Sequence, residues 1–444
     1  MIRRSFIPFL FVLQLAGIAF FGCQREKTQE DFAELTASLN RIAETYVKLA
    51  LAVGQHDANY VDAYYGPEAW QEQAKAEKKP LAEIKQAAAP LLAELEKLNA
   101  SGQEESVQLR YQYLMKQLRS LVARVEMLEG KKFTFDEESQ VLYDAVAPAF
   151  PESHFQEILD RIEKQLPSGS GALVERLERF RKDFIIPPAK LDTVFKIAIA
   201  KAQRRTKQHI ELPAEESFVV EYVTNKSWGG YNWYKGNSHS VIQINTDLPI
   251  YIDRAVDLAA HEGYPGHHVY NTLLEKHLVK EKGWVEFSVY PLFSPQSLIA
   301  EGSANYGIEV AFPGDERLAF EREVLFPLAG LDPAKAEAYD AIQRLVAELS
   351  YARNEAARRY LNGEIDANAA AAWQSKFSLM SPERAQQSTR FIDQYRSYVI
   401  NYNLGNDLVQ SYIEKNGGTA YQPQKRWEEF SKLLASPRLP SGLK

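Results

Sequence analysis

Apolar positions recur at three-to-four spacing along most of the chain. The stretch from Asp31 to Val53 places Phe32, Leu35, Leu39, Ile42, Tyr46, Leu49 and Val53 on one face of a helix. The same period runs through residues 81–98 and 106–128, and Pro and Gly punctuate these runs at Gly66–Pro67, Gly130, Pro148, Pro151 and Gly169–Gly171. Ile186-Pro187-Pro188 stops the next run and forms the best seam between an N-terminal helical region, 31–186, and the remainder, 187–444, with one continuous domain as the alternative. Around 217–246 the period shortens to two. The segments SFVVEYVT and HSVIQINTD are β-branched and alternating, and so predict strands on either side of a Gly- and aromatic-rich loop, NKSWGGYNWYKGNS. Helical periodicity resumes at Pro249. The expected fold is mainly α, with a small sheet immediately before the segment that carries the chemistry.

The first 22 residues follow a different pattern. Arg3 and Arg4 precede an apolar run from Phe6 to Phe21, and small Gly22 precedes Cys23. This is the layout of an export signal. A cysteine closing such a run resembles the lipobox of bacterial lipoproteins, in which the Cys is lipidated and becomes the new N-terminus. Residues 24–30 then form a polar tether, and the protein sits on the periplasmic side of a membrane or at the cell surface. Plain secretion and an uncleaved anchor helix are the alternatives.

Composition narrows the chemistry. Cys23 is the one cysteine of 444 residues, which excludes an internal disulfide framework and a thiolate metal cluster. Lys+Arg of 52 against Asp+Glu of 59 gives −7, with no basic block, which argues against a nucleic-acid partner. Of eight histidines, three fall in HEGYPGHH, at His261, His267 and His268.

That window departs from H-E-x-x-H, in which two histidines at i and i+4 share a helical face and bind zinc while the Glu activates water. Position i+4 from His261 is Pro265. On an ideal helix His267 would point about 120° away from His261, and His268 would share the face about 10 Å along the axis, too far to share one ion. Pro265, however, clashes with the His261 carbonyl, and Gly266 permits unusual backbone. A two-residue bulge here would bring His267 to the place of an ordinary i+4 histidine; His268 remains the alternative. A catalytic zinc usually has three protein ligands and one open position. Glu301, 34 residues after His267, is the candidate third ligand, and Glu309 on the same helical pattern is the candidate acceptor that orients a ligand histidine. Asn305 lies at i+4 between them. Glu262 is the candidate general base.

These residues carry a family resemblance. HEGYPGHH resembles the HExxPGHH signature of the bacterial family catalogued as domain of unknown function 885. The family's downstream EGWALYxE is similar to EGSANYGIE, at Glu301, Gly302, Ala304, Tyr306 and Glu309. A third segment resembles RFIDQYRSYVINYNLG, matching at Arg390, Tyr402 and Gly405. The resemblance implies an exported or lipid-anchored zinc-dependent peptidase holding one ion per chain through His261, His267 and Glu301. It also implies Tyr402 as oxyanion donor, with Tyr398 and Arg396 nearby, and a peptide or peptide-like substrate. In peptidases of this class an edge strand beside the metal helix holds the substrate backbone, a role expected here for HSVIQINTD. His239 and Asn245 are its candidate cleft residues, Trp228, Tyr231 and Trp233 a candidate aromatic wall, and Asp257 a candidate partner for a ligand histidine. A non-catalytic metal- or ligand-binding surface lipoprotein is the competing reading, and a helical scaffold with a vestigial site is the third.

Overall fold

The structure, a computed structural model, describes residues 12–444, with side chains from Phe32 onward. Residues 1–11 of the export signal, and the side chains of its remainder and of Cys23, lie outside the described residues. Among the described residues no helix is long and apolar enough to cross a membrane.

The chain is mainly helical, with two small sheets. The long helix Val12–Val53 buries the stripe read from its sequence. Leu39, Ile42, Tyr46 and Val53 are fully enclosed, and only Phe32, at the outer end, stays 40% exposed. Helices Leu81–Leu95 and Glu105–Leu128 pack on it. This core also takes Val289, Leu298, Ile392 and Tyr398, so residues on both sides of position 186 share it. A fully buried ion pair crosses the same boundary: Arg110 Nε and Nη2 donate to the Glu286 carboxylate at 2.5 and 3.1 Å. Tyr113 Oη donates to Gln296 at 2.7 Å, at the start of the helix Pro295–Ala311, called here the glutamate helix.

Strand β1 (Val61–Tyr64) pairs antiparallel with β5 (Val289–Pro291). The other sheet contains β2 (Ser217–Val223), β3 (Gly230–Tyr234) and β4 (His239–Asn245) in the order β2-β4-β3. Two expectations are corrected here. The aromatic stretch 225–238 is not simply a loop, because it contains β3, whose Tyr231 and Trp233 alternate with Asn232 and Tyr234. The strand HSVIQIN is not an edge: it is central, parallel to β2 and antiparallel to β3. The free edge on the chemical side belongs to β3.

The glutamate helix is buried on nearly every side. It crosses the helix Ile400–Lys415, called here the tyrosine helix, at two glycines. A Cβ on Gly302 would lie 2.3 Å from the carbonyl carbon of Gly405, and one on Gly405 2.7 Å from the Leu298 carbonyl oxygen. The two backbones therefore touch, and the residues just before Gly405 are held against Glu301.

Candidate metal centre

The motif segment begins as a helix, Asp253–Leu258, and widens into one π turn, Ala259–Gly263. Tyr264 is extended, the Tyr264–Pro265 peptide is cis, and a new helix starts at His267. The backbone bonds show the inserted residues directly. Tyr264 N–H donates to Ala259 O at 3.0 Å and Gly266 N–H to Ala260 O at 2.9 Å, reaching back five and six residues instead of four. Gly266 is required by contact: a Cβ there would sit 1.9 Å from the His261 carbonyl oxygen.

The break turns His267 back onto His261. Their Nε2 atoms are 3.1 Å apart, and Glu301 Oε2 lies 3.2 Å from the first and 3.7 Å from the second. Donor atoms about 2.0–2.1 Å from a tetrahedral ion lie ~3.3 Å from one another. The three spacings bracket that value, and all three residues can offer one atom to one ion.

The outer atoms of His261 and Glu301 are committed elsewhere. His261 Nδ1–H donates to Asn305 Oδ1 at 2.9 Å, and Asn305 Nδ2 donates to the Tyr402 carbonyl at 2.8 Å, which fixes the orientation of the amide. The Nε2 lone pair of His261 therefore faces the centre. Tyr398 Oη donates to Glu301 Oε1 at 2.7 Å. Glu301 Oε2 is buried with no hydrogen-bond partner, an exposed lone pair in chemical terms but closed to bulk water. Such an atom is costly unless something cationic meets it. The surroundings add negative charge. Burial pulls the His267 imidazole down, but the Glu301, Glu262 and Asp62 carboxylates outweigh it and raise it to about 9. Burial raises the Glu301 carboxyl, yet the two imidazoles hold it well below its ordinary range. The cluster is thus a built, cation-seeking donor set.

Glu262, 4% exposed, stands beside it, and burial pushes its carboxyl above the usual range. Its backbone carbonyl accepts from Asn232 Nδ2 at 2.7 Å, which pins the π turn to β3. Gly230 lies so close that a Cβ would fall 2.8 Å from Glu262 Oε1. The whole group lines a cavity of ≈460 Å³.

The other expected residues divide. Tyr402 lines the cavity, with its ring stacked 6.4 Å from that of His261. Trp228 and Tyr231 also line it, whereas Trp233 turns to Gln243 across the sheet. Glu309 does not orient a histidine. Its half-exposed carboxylate lies 3.5 Å from Arg426, and Asn305, one turn earlier, takes the orienting place. His268 points away from the cluster because it follows His267 by one helical step. It is fully buried, bonded to Ser240 Oγ and Glu216 Oε2 at 2.9 Å each. That Ser-His-Glu order resembles a hydrolase triad, but Ser240 is also fully enclosed and no substrate reaches it. Asn245 lies outside the cavity wall and ties the loop before β3 by donating to the Lys226 and Trp228 carbonyls. Arg390 is exposed and away from the cavity, His239 bonds to Ser217, and Arg396 binds Glu138. Asp257 pairs with Arg254 and Arg317 and touches no ligand histidine.

Asp62 and Arg353 are among the cavity residues that escaped the sequence reading. Asp62 on β1 accepts a bond from Tyr231, and burial raises its carboxyl to about 6. Arg353 projects from another helix. Neither carries a local signal, whereas Asn305 and Tyr398 were legible as one helical turn from Glu301 and Tyr402.

Fold and site together define a mainly helical protein with a buried His-His-Glu cluster able to hold a metal. Its fold is similar to that of a protein from Colwellia psychrerythraea provisionally named a lipoprotein, with TM-score 0.50 and 15% identity over 82% of this chain and 68% of that one. The BsuCP crystal structure gives 0.45 and 9% over 92% and 90%. A protein from Shewanella oneidensis, provisionally named a lipoprotein of unknown function, gives 0.43 and 12% over 82% and 75%. No family model matches the chain, and no curated protein does.

Proposed function

We propose that this protein is a zinc-dependent hydrolase of peptide bonds, exported and anchored to a membrane through lipid on Cys23. The observation that carries the reading is the donor set: two Nε2 atoms and one Oε2 within 3.7 Å of one another, with His261 held from behind by Asn305 and Glu301 by Tyr398, and a carboxylate alongside. Nitrogen and oxygen donors in these numbers suit zinc and leave one coordination position open. Zinc bound there would lower the pKa of water toward 7 and polarise a carbonyl.

The chain's own groups supply the rest. Among the described residues nothing holds the Glu262 side chain elsewhere by a hydrogen bond, and burial raises its proton affinity, so its carboxylate can take a proton from water and pass it to the leaving nitrogen. Burial and the nearby Glu301 carboxylate keep the Tyr402 hydroxyl protonated, as a donor for a developing oxyanion needs. The free edge of β3, beginning at Gly230 beside Glu262, offers main-chain groups to an extended peptide. Asn305 and Tyr398 hold His261 and Glu301 in register.

The lipoprotein name given to the Colwellia psychrerythraea neighbour agrees with the Arg-apolar-Cys23 N-terminus. The test is Glu262→Gln in the full chain. The variant is expected to retain stoichiometric zinc and lose at least 100-fold in peptide cleavage. Full activity in that variant, or no stoichiometric metal in wild type purified without chelator, refutes the proposal.

A further inference from the structure

The cavity has a second wall, built from Arg353, Met380, Arg384, Gln387 and Phe391. Its arginines differ in what they bind. Arg384 donates to the Pro249 carbonyl at 2.8 Å, and Arg254, on the other side of the cavity, pairs with Asp257 at 3.0 Å. Arg353 has no carboxylate partner among the described residues, and its Nε is buried without a hydrogen bond. Burial pulls its guanidinium below the ordinary range, with only the Tyr402 ring nearby to oppose that. It stacks over Phe391 at 4.6 Å and faces Tyr402 at 6.0 Å. Stacking of this kind offsets only part of what a partly buried unpaired cation costs. The remaining donors of the fork are therefore available to an anion entering the cavity.

Position adds a constraint. The Tyr402 ring lies 6.0 Å from the Arg353 guanidinium and 6.4 Å from the His261 ring, so the guanidinium is no more than 12.4 Å from that imidazole. An extended peptide spans about 3.3–3.6 Å per residue. A carboxylate one to three residues beyond a bond held at the metal centre therefore reaches Arg353. The planar fork of arginine matches a carboxylate with two parallel hydrogen bonds.

Resting on the hydrolase reading above, we infer that Arg353 binds the carboxylate of the substrate and so selects peptides cleaved close to a free C-terminus. An acidic side chain has the same chemistry as a terminal carboxylate, and the test separates them. Three peptides of one apolar sequence are compared: a free acid, its C-terminal amide, and the amide with one Glu near the end. Binding is measured by calorimetry to full-chain, zinc-loaded Glu262→Gln protein with and without Arg353→Gln, and cleavage is measured in the corresponding proteins with Glu262 intact. The free acid is expected to bind 10- to 100-fold tighter than the amide, and Arg353→Gln to remove that preference while leaving amide binding and zinc content unchanged. Preference for the Glu-containing amide over the free acid assigns the site to an acidic side chain and overturns the C-terminal assignment. Equal binding of acid and amide overturns the whole inference, whatever the fate of the Arg353 variant. Arg353-dependent binding without wild-type cleavage leaves the carboxylate-binding role of Arg353 standing and refutes the hydrolase; cleavage without acid preference does the reverse.

Discussion

The crossing of the glutamate and tyrosine helices offers a test that touches no ligand and no substrate. Gly302→Ala adds a single methyl where the nearest foreign atom, the Gly405 carbonyl carbon, would lie 2.3 Å away. Ordinary contact begins near 3.4 Å, so the backbones must part by about 1.1 Å. Both neighbours are backbone and cannot rotate aside. Overpacking of this kind costs about 1–3 kcal/mol, and alanine's better helix propensity returns about 1 kcal/mol. The net loss in stability is thus at most about 2 kcal/mol, and the protein stays folded. The larger effect falls on the centre. Tyr402 rides on the displaced helix and Tyr398 on the short turn, Arg396–Val399, that leads into it, so a shift of about an ångström stretches the 2.7 Å bond to Glu301 and the 2.8 Å bond that holds Asn305. Losing such supporting bonds typically weakens metal affinity 10- to 100-fold. Competition against a chelator of known zinc affinity, with thermal melting of the metal-free protein as control, reads both terms. An alanine variant with wild-type zinc affinity would refute the claim that this contact positions the site.

Two further outcomes follow from the surrounding network. Asn305→Leu removes the acceptor from His261 Nδ1, frees the ring to rotate or change tautomer, and is expected to weaken zinc 10- to 100-fold in the same chelator competition, with little change in fold. Glu216 sets an acid dependence: burial would raise its carboxyl, but bonds from His268, Lys207 and Tyr264 outweigh that and lower it to about 2. A depressed carboxyl stabilises the fold above its unfolded value near 4.5 and loses that contribution as pH falls toward 2. The difference amounts to roughly 3 kcal/mol. Glu216→Gln is therefore expected to lower the urea midpoint at pH 6, with the gap to wild type shrinking by more than half at pH 3; a gap independent of pH refutes the assignment.

Local patterns carried much of this molecule. Helical periodicity located the long N-terminal helix, whose stripe from Leu35 to Val53 is buried, because a face that repeats every 3.6 residues needs no distant partner to be recognised. Pro265 and Gly266 announced a distortion from their covalent chemistry alone, and the π turn with its inserted residues lies there. Period-two alternation found β2 and β4. It did not find β1 and β5, four and three residues long, which are too short for alternation to register. Nor did it find β3, whose aromatic side chains sat among turn residues. Which strand is the edge depends on pairing order, and pairing is a contact between segments.

The sequence by itself thus determined the helical character, the broken motif and the histidine and glutamate types that suit a metal. Only the tertiary structure decided which atoms meet. It turned His267 inward and His268 outward, one helical step apart. It gave Asn305 the place expected for Glu309, and it brought Tyr398, Asp62 and Arg353 from remote segments to one cavity. The physical reason is that hydrogen bonds and ion contacts fall away within a few ångströms. Their partners are fixed by how helices cross and strands pair, and at this site by two glycines that let two backbones touch.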